Sequence, residues 1–179
     1  IKGISLFLVP KLLVNEDGTL GNTNDLKALS IEHKIGIHAC PTCVMSYGEE
    51  SGAIGYLVGE ENKGIQCMFT MMNNARLTVG LQGVSVSERA YQQALSFCNE
   101  RVQGVAPGFK EPGPIIRHPD VQRMLANMKS ITQGSRALTY AACAEVDYSL
   151  SNLPLENLEM HERRLGFLTP IVKGWCTET

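Results

Sequence analysis

MFTMMNNARLTVGLQGVSVSERAYQQALSFCNERVQG, residues 68–104, is the stretch on which the reading of the whole chain turns. Apolar or small residues recur at Met68, Met71, Met72, Ala75, Val79, Gly83, Val86, Ala90, Ala94 and Phe97, the three-and-four spacing of one helix face. A single helix over this stretch is roughly 50 Å long at 1.5 Å per residue. From Met68 to Cys98 only Arg76, Glu88 and Arg89 are ionic. So long a helix with so little charge is expected to be covered on several sides, by a bundle or by another subunit. Arg76 needs an anion in this apolar setting, because an unpaired buried guanidinium is costly. Arg101 follows it by 25 positions. In one continuous helix the two return to nearly the same face, about 37 Å apart along the axis, so they cannot hold the same phosphate. Two structural ion pairs are the ordinary explanation of such arginines.

Downstream, 105–114 is rich in Pro and Gly and reads as a loop. A second helix is predicted from His118, with Pro119 at its first position and Asp120 near its positive end. Its inward stripe is Val121, Leu125, Met128, Ile131, Leu138 and Ala142, and it ends near Tyr148. A third helix is predicted from Leu155 to Cys176, with Leu165, Leu168, Ile171, Val172 and Trp175 inward. Pro170 is expected to kink it, or Thr169 to cap a fresh start. Three antiparallel helices lack one wall of a four-helix bundle.

Upstream the period changes. Ile4 to Val9 is a continuous apolar run stopped by Pro10 and reads as a buried strand. Residues 15–25 are polar and contain glycine, hence a loop. Leu29–His38, Thr42–Tyr47 and Ala53–Val58 read as further strands. The switch to helical period near Gly64 divides the chain into 1–62 and 63–179. The fold class that follows is α+β: a partial β-barrel-like domain, then an incomplete antiparallel helical bundle. Cys40 and Cys43 form a C-x-x-C with His33 and His38 just upstream, which raises zinc or redox chemistry. Against both, Pro41 interrupts the ladder, His33 and His38 fall on opposite strand faces, and no helix starts after the first cysteine.

Over 179 residues the formal net charge is −2, so nothing suggests a nucleic-acid surface. No apolar run approaches the ~20 residues of a membrane span, and no signal peptide is seen. Six scattered cysteines fit a reducing cytoplasm. The chain opens inside what reads as a buried strand, so a fragment of a larger protein is expected.

MFTMMNNARL, the small-residue helix and ERVQG resemble the acyl-CoA dehydrogenase family. The resemblance extends back through GAIGYLVGEENKGI (52–65) and forward through HPDVQRMLANMK (118–129). It covers 3–176 and is weakest over 149–163. RVQG, the long segment after Tyr148 and LTPIVKGWCTE (168–178) are most similar to the branch acting on 3-(methylthio)propanoyl-CoA.

The resemblance implies an oxidoreductase in which a glutamate removes the α proton of an acyl-CoA thioester and FAD takes the β hydride. It implies the end of a middle β-domain followed by the start of a C-terminal helical domain. It places Asn73 and Arg76 at the acyl-CoA pocket, Arg76 near the CoA moiety. Arg101, Gln103 and His118 are placed as FAD contacts, Arg101 toward the pyrophosphate of a neighbouring subunit. Two departures weaken this pattern: Asn73 stands where many relatives have a carboxylate, and Gln103 where an aromatic is expected. The family's base lies either beyond a G-G-x-G segment, which this chain does not reach, or immediately before the arginine, here Ala75. No catalytic residue and no metal ligand is therefore assigned. The 179 residues alone are expected to be inactive and to hold FAD poorly. Expected partners are acyl-CoA, electron-transfer flavoprotein or another electron acceptor, and a second copy of the chain. Two other readings stand beside this one: a non-catalytic helical interaction module, and an acyl-CoA oxidase.

Overall fold

A computed structural model describes residues 2–179. Its contacts divide the chain into two compact units, Ile1–Thr70 and Met71–Thr179. The first unit holds six short strands: β1 (Leu6–Leu8), β2 (Leu12–Val14), β3 (Leu20–Thr23), β4 (Leu26–Ile31), β5 (Cys43–Tyr47) and β6 (Tyr56–Val58). They pair two by two and antiparallel, β1 with β6, β2 with β3, and β4 with β5. Among the described residues these pairs do not close into a barrel.

The polar stretch 15–25 is not simply a loop. Its first part is a hairpin tip in which Asn15 and Thr19 bond each other and Gly18 takes φ +81°. Its second part is β3, a strand whose side chains are mostly exposed and so carry no apolar alternation. Asn24 follows, buried, and binds four main-chain groups. Its amide donates to the carbonyls of Pro10 and Ile54, and its oxygen accepts from Asp25 and Ile54 N–H. Asp25 accepts the successive N–H groups of Glu50, Ser51 and Gly52 at 2.8, 2.7 and 3.0 Å. The bonds from Ser51 and Glu50 hold its carboxyl below the usual aspartate range.

The strand expected over Leu29–His38 is corrected: β4 ends at Ile31, and 32–42 is irregular, with Ile37 at φ +54°. His38 and Cys40 therefore lie in a turn, where period-two reasoning about faces does not apply. Cys40 and Cys43 are free thiols.

The second unit is helical. α1 (Gly64–Glu100) begins in the first unit and continues through it. α2 (Pro119–Ser149) starts at Pro119 as its Pro-Asp signal predicts, and α3 runs Leu155–Glu178. α1 starts and ends four residues earlier than expected, so Arg101 lies beyond the helix and the shared-face argument for it fails.

The inward face of α1 is also corrected. Leu77, Gly80, Val84 and Cys98 are buried, with Ser87, Tyr91 and Ala94 half-buried between them, a seven-residue repeat of close-packed positions. Met71, Val86 and Phe97, on the expected stripe, are 64%, 69% and 59% exposed. What selects the face is the backbone. A Cβ at Gly80 would collide with Val172, and one at Gly83 with the main-chain carbonyl of Cys176. α3 packs directly on the α1 backbone there, and Leu77, Val84, Ala142, Val172 and Cys176 close the core around it.

On α2 the buried positions include Thr132, Ser135 and Thr139, which a hydrophobicity stripe passes over. Thr139 donates to the Ser135 carbonyl at 2.8 Å and touches the Cys176 sulfur at 3.6 Å. On α3, Trp175 and Ile171 are 50% and 39% exposed, while Thr169, Val172 and Cys176 are buried. Pro170 does not end the helix. It lies inside α3, and the Thr169 hydroxyl donates to the Leu165 carbonyl at 2.7 Å.

Candidate cofactor and substrate sites

α1 ends at Glu100, and the chain then folds back on itself. Arg101 N–H still reaches the Phe97 carbonyl, while its own carbonyl accepts Ile115 N–H at 2.8 Å. Val102 bridges Pro114, Gln103 N–H donates to the Gly113 carbonyl at 3.2 Å, and Gly113 N–H donates to the Gly104 carbonyl at 3.3 Å. Gly104 takes φ +67°, a conformation that costs glycine nothing and other residues about a kcal/mol or more. A single 3₁₀ turn, Ile115–Arg117, then delivers His118 to the start of α2. His118 Nε2 lies 3.1 Å from the Gln103 carbonyl oxygen. Three residues expected at one cofactor are thus brought into one pinned turn, although they come from the two ends of the 18-residue segment between α1 and α2, only roughly delimited by its Pro and Gly content.

Charge in this turn is sparse. Among the described residues no carboxylate pairs with the Arg101 guanidinium, and Arg101 is exposed. Arg117 is packed over the Phe109 ring, 4.6 Å from its centroid. An unpaired guanidinium beside a rigid main-chain turn is a donor set suited to an anionic, hydrogen-bonding ligand.

Asn73 and Arg76 are not part of that turn. They lie on α1, Asn73 exposed and Arg76 half-buried, about one helical turn apart. A hollow of ≈ 230 Å³ lies beside them, lined by Asn74, Leu77, Thr78, Leu81, Cys143, Val146 and Asp147, so neighbours of the two expected residues face it while the two themselves do not line it.

Three features escaped the sequence reading. Glu88 on α1 binds Arg136 on α2 at 2.6 Å and accepts from Gln92 at 2.8 Å. Glu145 and His161 meet at 2.5 Å between α2 and α3, with Arg164 3.7 Å from the other carboxylate oxygen and the Tyr148 ring 4.8 Å from the imidazole. The helix i,i+4 spacing of Glu88 and Gln92 was visible in the sequence; the two long-range pairs had no local signal. The third feature is an apolar groove of ≈ 550 Å³ along α1 and α2, whose walls include Val79, Val86, Ala90, Met128 and Ile131. Among the described residues, no group of three or more His, Cys, Asp or Glu side chains is placed to hold a metal ion. Among the described residues no helix is long and apolar enough to cross a membrane.

The chain carries short antiparallel strands and then a helical unit whose long first helix is notched at Gly80 and Gly83. Residues 62–153 match the model for the acyl-CoA dehydrogenase C-terminal domain, and the chain belongs to the acyl-CoA dehydrogenase family. It is 47% identical over 99% of its length to 3-methylmercaptopropionyl-CoA dehydrogenase of Ruegeria pomeroyi, and 35% identical over 98% to butyryl-CoA dehydrogenase of Syntrophomonas wolfei. In each case it spans 30% of the relative's length. The fold is similar to that of Caenorhabditis elegans ACDH-11 in complex with C11-CoA, with a TM-score of 0.70 over 92% of this chain and 29% of that one, at 20% identity.

Proposed function

We propose that this chain is part of an FAD-dependent dehydrogenase that desaturates acyl-CoA thioesters between the α and β carbons, with a 3-(methylthio)propanoyl thioester as the leading substrate candidate. The observation that carries the reading is the pinned turn at 101–104, with its unpaired Arg101 guanidinium and His118 against Gln103. These residues fit a dinucleotide: the guanidinium supplies charge-assisted bonds to a phosphate, and the main chain that presents it is fixed at both ends. When bound, FAD supplies the hydride acceptor. In this reading 1–62 is the end of a middle β-domain and 63–179 the start of the C-terminal helical domain. The substrate-side residues are Asn73 and Arg76, with Arg76 binding an anionic group of CoA. The identity with the methylthio-acyl enzyme supports the substrate class.

The same reading assigns no proton acceptor to the chain. Ala75 occupies the position before Arg76, and Glu88 is committed to Arg136 and Gln92. The 179 residues with added FAD, an artificial electron acceptor and a panel of acyl-CoA thioesters are therefore expected to show no turnover. An electron-transfer flavoprotein as acceptor, a homo-oligomer that covers the apolar groove, and a cytoplasmic location complete the proposal. Arg76→Ala in the full-length polypeptide tests the substrate half. Loss of a charge-assisted contact of ~1.5–3 kcal/mol lowers kcat/KM for acyl-CoA by about tenfold or more. Unchanged steady-state kinetics would remove Arg76 from the pocket. Peroxide release with acyl-CoA would favour an oxidase instead.

A further inference from the structure

We propose that the neutral imidazole of His118 carries its proton on Nε2, so that the atom it offers a cofactor is Nδ1, a hydrogen-bond acceptor suited to a sugar-type hydroxyl and not to a phosphate. The proposal rests on the flavin reading of the turn, and extends it to the chemistry that each residue of the turn performs.

A carbonyl oxygen only accepts. The 3.1 Å contact between His118 Nε2 and the Gln103 carbonyl therefore requires the proton on Nε2. The direction of that carbonyl is set by the turn. Gln103 N–H is bonded to Gly113, Gly113 N–H to Gly104, and the Arg101 carbonyl to Ile115 N–H. The imidazole also lies against Gly104, where a Cβ would stand 3.7 Å from Cε1. With Nε2 engaged, neutral imidazole has a bare lone pair on Nδ1. His118 precedes α2 without a side-chain capping bond, and Pro119 has no N–H to offer. Among the described residues Nδ1 has no hydrogen-bond partner.

The labour in the turn divides accordingly. Arg101 is the cation for a phosphate, and Arg117 is occupied by the Phe109 ring. His118 accepts from a hydroxyl. Gln103 holds the imidazole through its main-chain carbonyl.

Two substitutions separate these roles, because an asparagine amide overlays the Nδ1 position of histidine and a glutamine amide the Nε2 position. His118→Asn keeps an acceptor where Nδ1 was and loses the tie to Gln103. His118→Gln keeps the tie and loses the acceptor. In the flavin-loaded full-length polypeptide, His118→Gln is expected to weaken FAD retention about five- to tenfold, the loss of one hydrogen bond, and His118→Asn by less. Independently of flavin, long-range proton–nitrogen NMR of the nitrogen-labelled 179-residue chain at alkaline pH is expected to show Nδ1 as the bare nitrogen of His118. The opposite tautomer overturns the proposal at its geometric step. The expected tautomer, with FAD retained equally by both variants, overturns it at the cofactor step and leaves the geometry standing. A reversed order, with Gln rescuing and Asn failing, assigns His118 a purely structural role.

Discussion

Along α1, Leu77, Gly80, Val84 and Cys98 are buried, while Met71, Val86 and Phe97 on another face stand more than half exposed. By side-chain hydrophobicity the second face is the stronger one. It nevertheless lost the competition for α3, because the first face offers glycine where α3 arrives. Helices approach most closely where one of them has no side chain, and close approach brings more atoms into van der Waals contact than a larger residue at greater distance. Among the described residues the groove beside the open face is apolar and open to solvent.

The most damaging way to test that contrast is to fill the notch. A Cβ at Gly83 would lie inside the contact distance of the Cys176 carbonyl, and that group is backbone and cannot swing aside. Gly83→Ala is expected to lower stability by about 3 kcal/mol, overriding the gain of up to ~1 kcal/mol that alanine brings to a helix. Gly80→Ala meets a Val172 methyl group first and is expected to cost less, about 1–2 kcal/mol. Gly134, Gly166 and Gly174 are helical glycines with open space at the Cβ position. Alanine at any of them is expected to stabilise by up to ~1 kcal/mol. Denaturant melts of the five variants check the set. A neutral Gly83→Ala would mean that the two helices do not meet as described.

Truncation tests the same two faces from the side-chain direction. Leu77→Ala removes a core residue and is expected to cost about 2–3 kcal/mol, while Val86→Ala on the open face stays within about 0.5 kcal/mol. Equal losses at the two positions, measured in one protein preparation, would mean that the open face is covered in solution, for instance by a second copy.

These comparisons also mark what could be read in advance. The extent of α2 was legible because Pro119 and Asp120 are local signals, and the α+β order was legible because the period changes near Gly64. The face of α1 was not, because large side chains such as Met71, Val86 and Phe97 outweigh Gly80 in a hydrophobicity pattern, Gly83 counts there only as a small member of their stripe, and the partners Val172 and Cys176 lie some 90 residues away. The buried Thr132–Ser135–Thr139 line was passed over for a related reason: small polar side chains fit a tight interface that a hydrophobicity pattern does not mark, and Thr139 finds its partner within the helix. At the candidate site, the sequence placed Arg101, Gln103 and His118 together only through family resemblance. The antiparallel clip that joins them has no periodic signal, and the acceptor carbonyl of Gln103 is invisible to any reading of side chains.

Ser135 gives a smaller and opposite effect. Its hydroxyl is buried without a hydrogen-bond partner among the described residues, while its carbonyl serves Thr139. Ser135→Ala removes the unsatisfied oxygen and keeps the carbonyl. It is expected to raise stability by up to ~1 kcal/mol. A loss of similar size would show that the hydroxyl is satisfied by an ordered water.

The smallest effect compares two carboxylates, one in each unit. Glu88 is held below the usual glutamate range by the side-chain bonds from Gln92 and Arg136, and Asp25 below the usual aspartate range by the N–H groups of Ser51 and Glu50. The sign is the same for both. A folded-state pKa below the unfolded one contributes stability that is present above the unfolded pKa and is lost as pH falls through the folded value. Glu88→Gln and Asp25→Asn cannot titrate, so each should differ most from the unsubstituted chain near neutral pH and converge with it in acid. The two should part company in salt. Glu88 and Arg136 are partly exposed, 28% and 37% at the side chain, and their attraction is an ion pair that added salt screens. Asp25 is held mainly by uncharged main-chain donors at 2.7–3.0 Å, whose bonds are short-ranged and far less sensitive to ionic strength. Thermal midpoints of the three proteins across the acid range, at low and high salt, should therefore show a Glu88→Gln gap that shrinks with salt and an Asp25→Asn gap that persists. A Glu88→Gln gap independent of pH would mean that the Arg136 pair does not form in solution and that α1 and α2 are held there by packing alone.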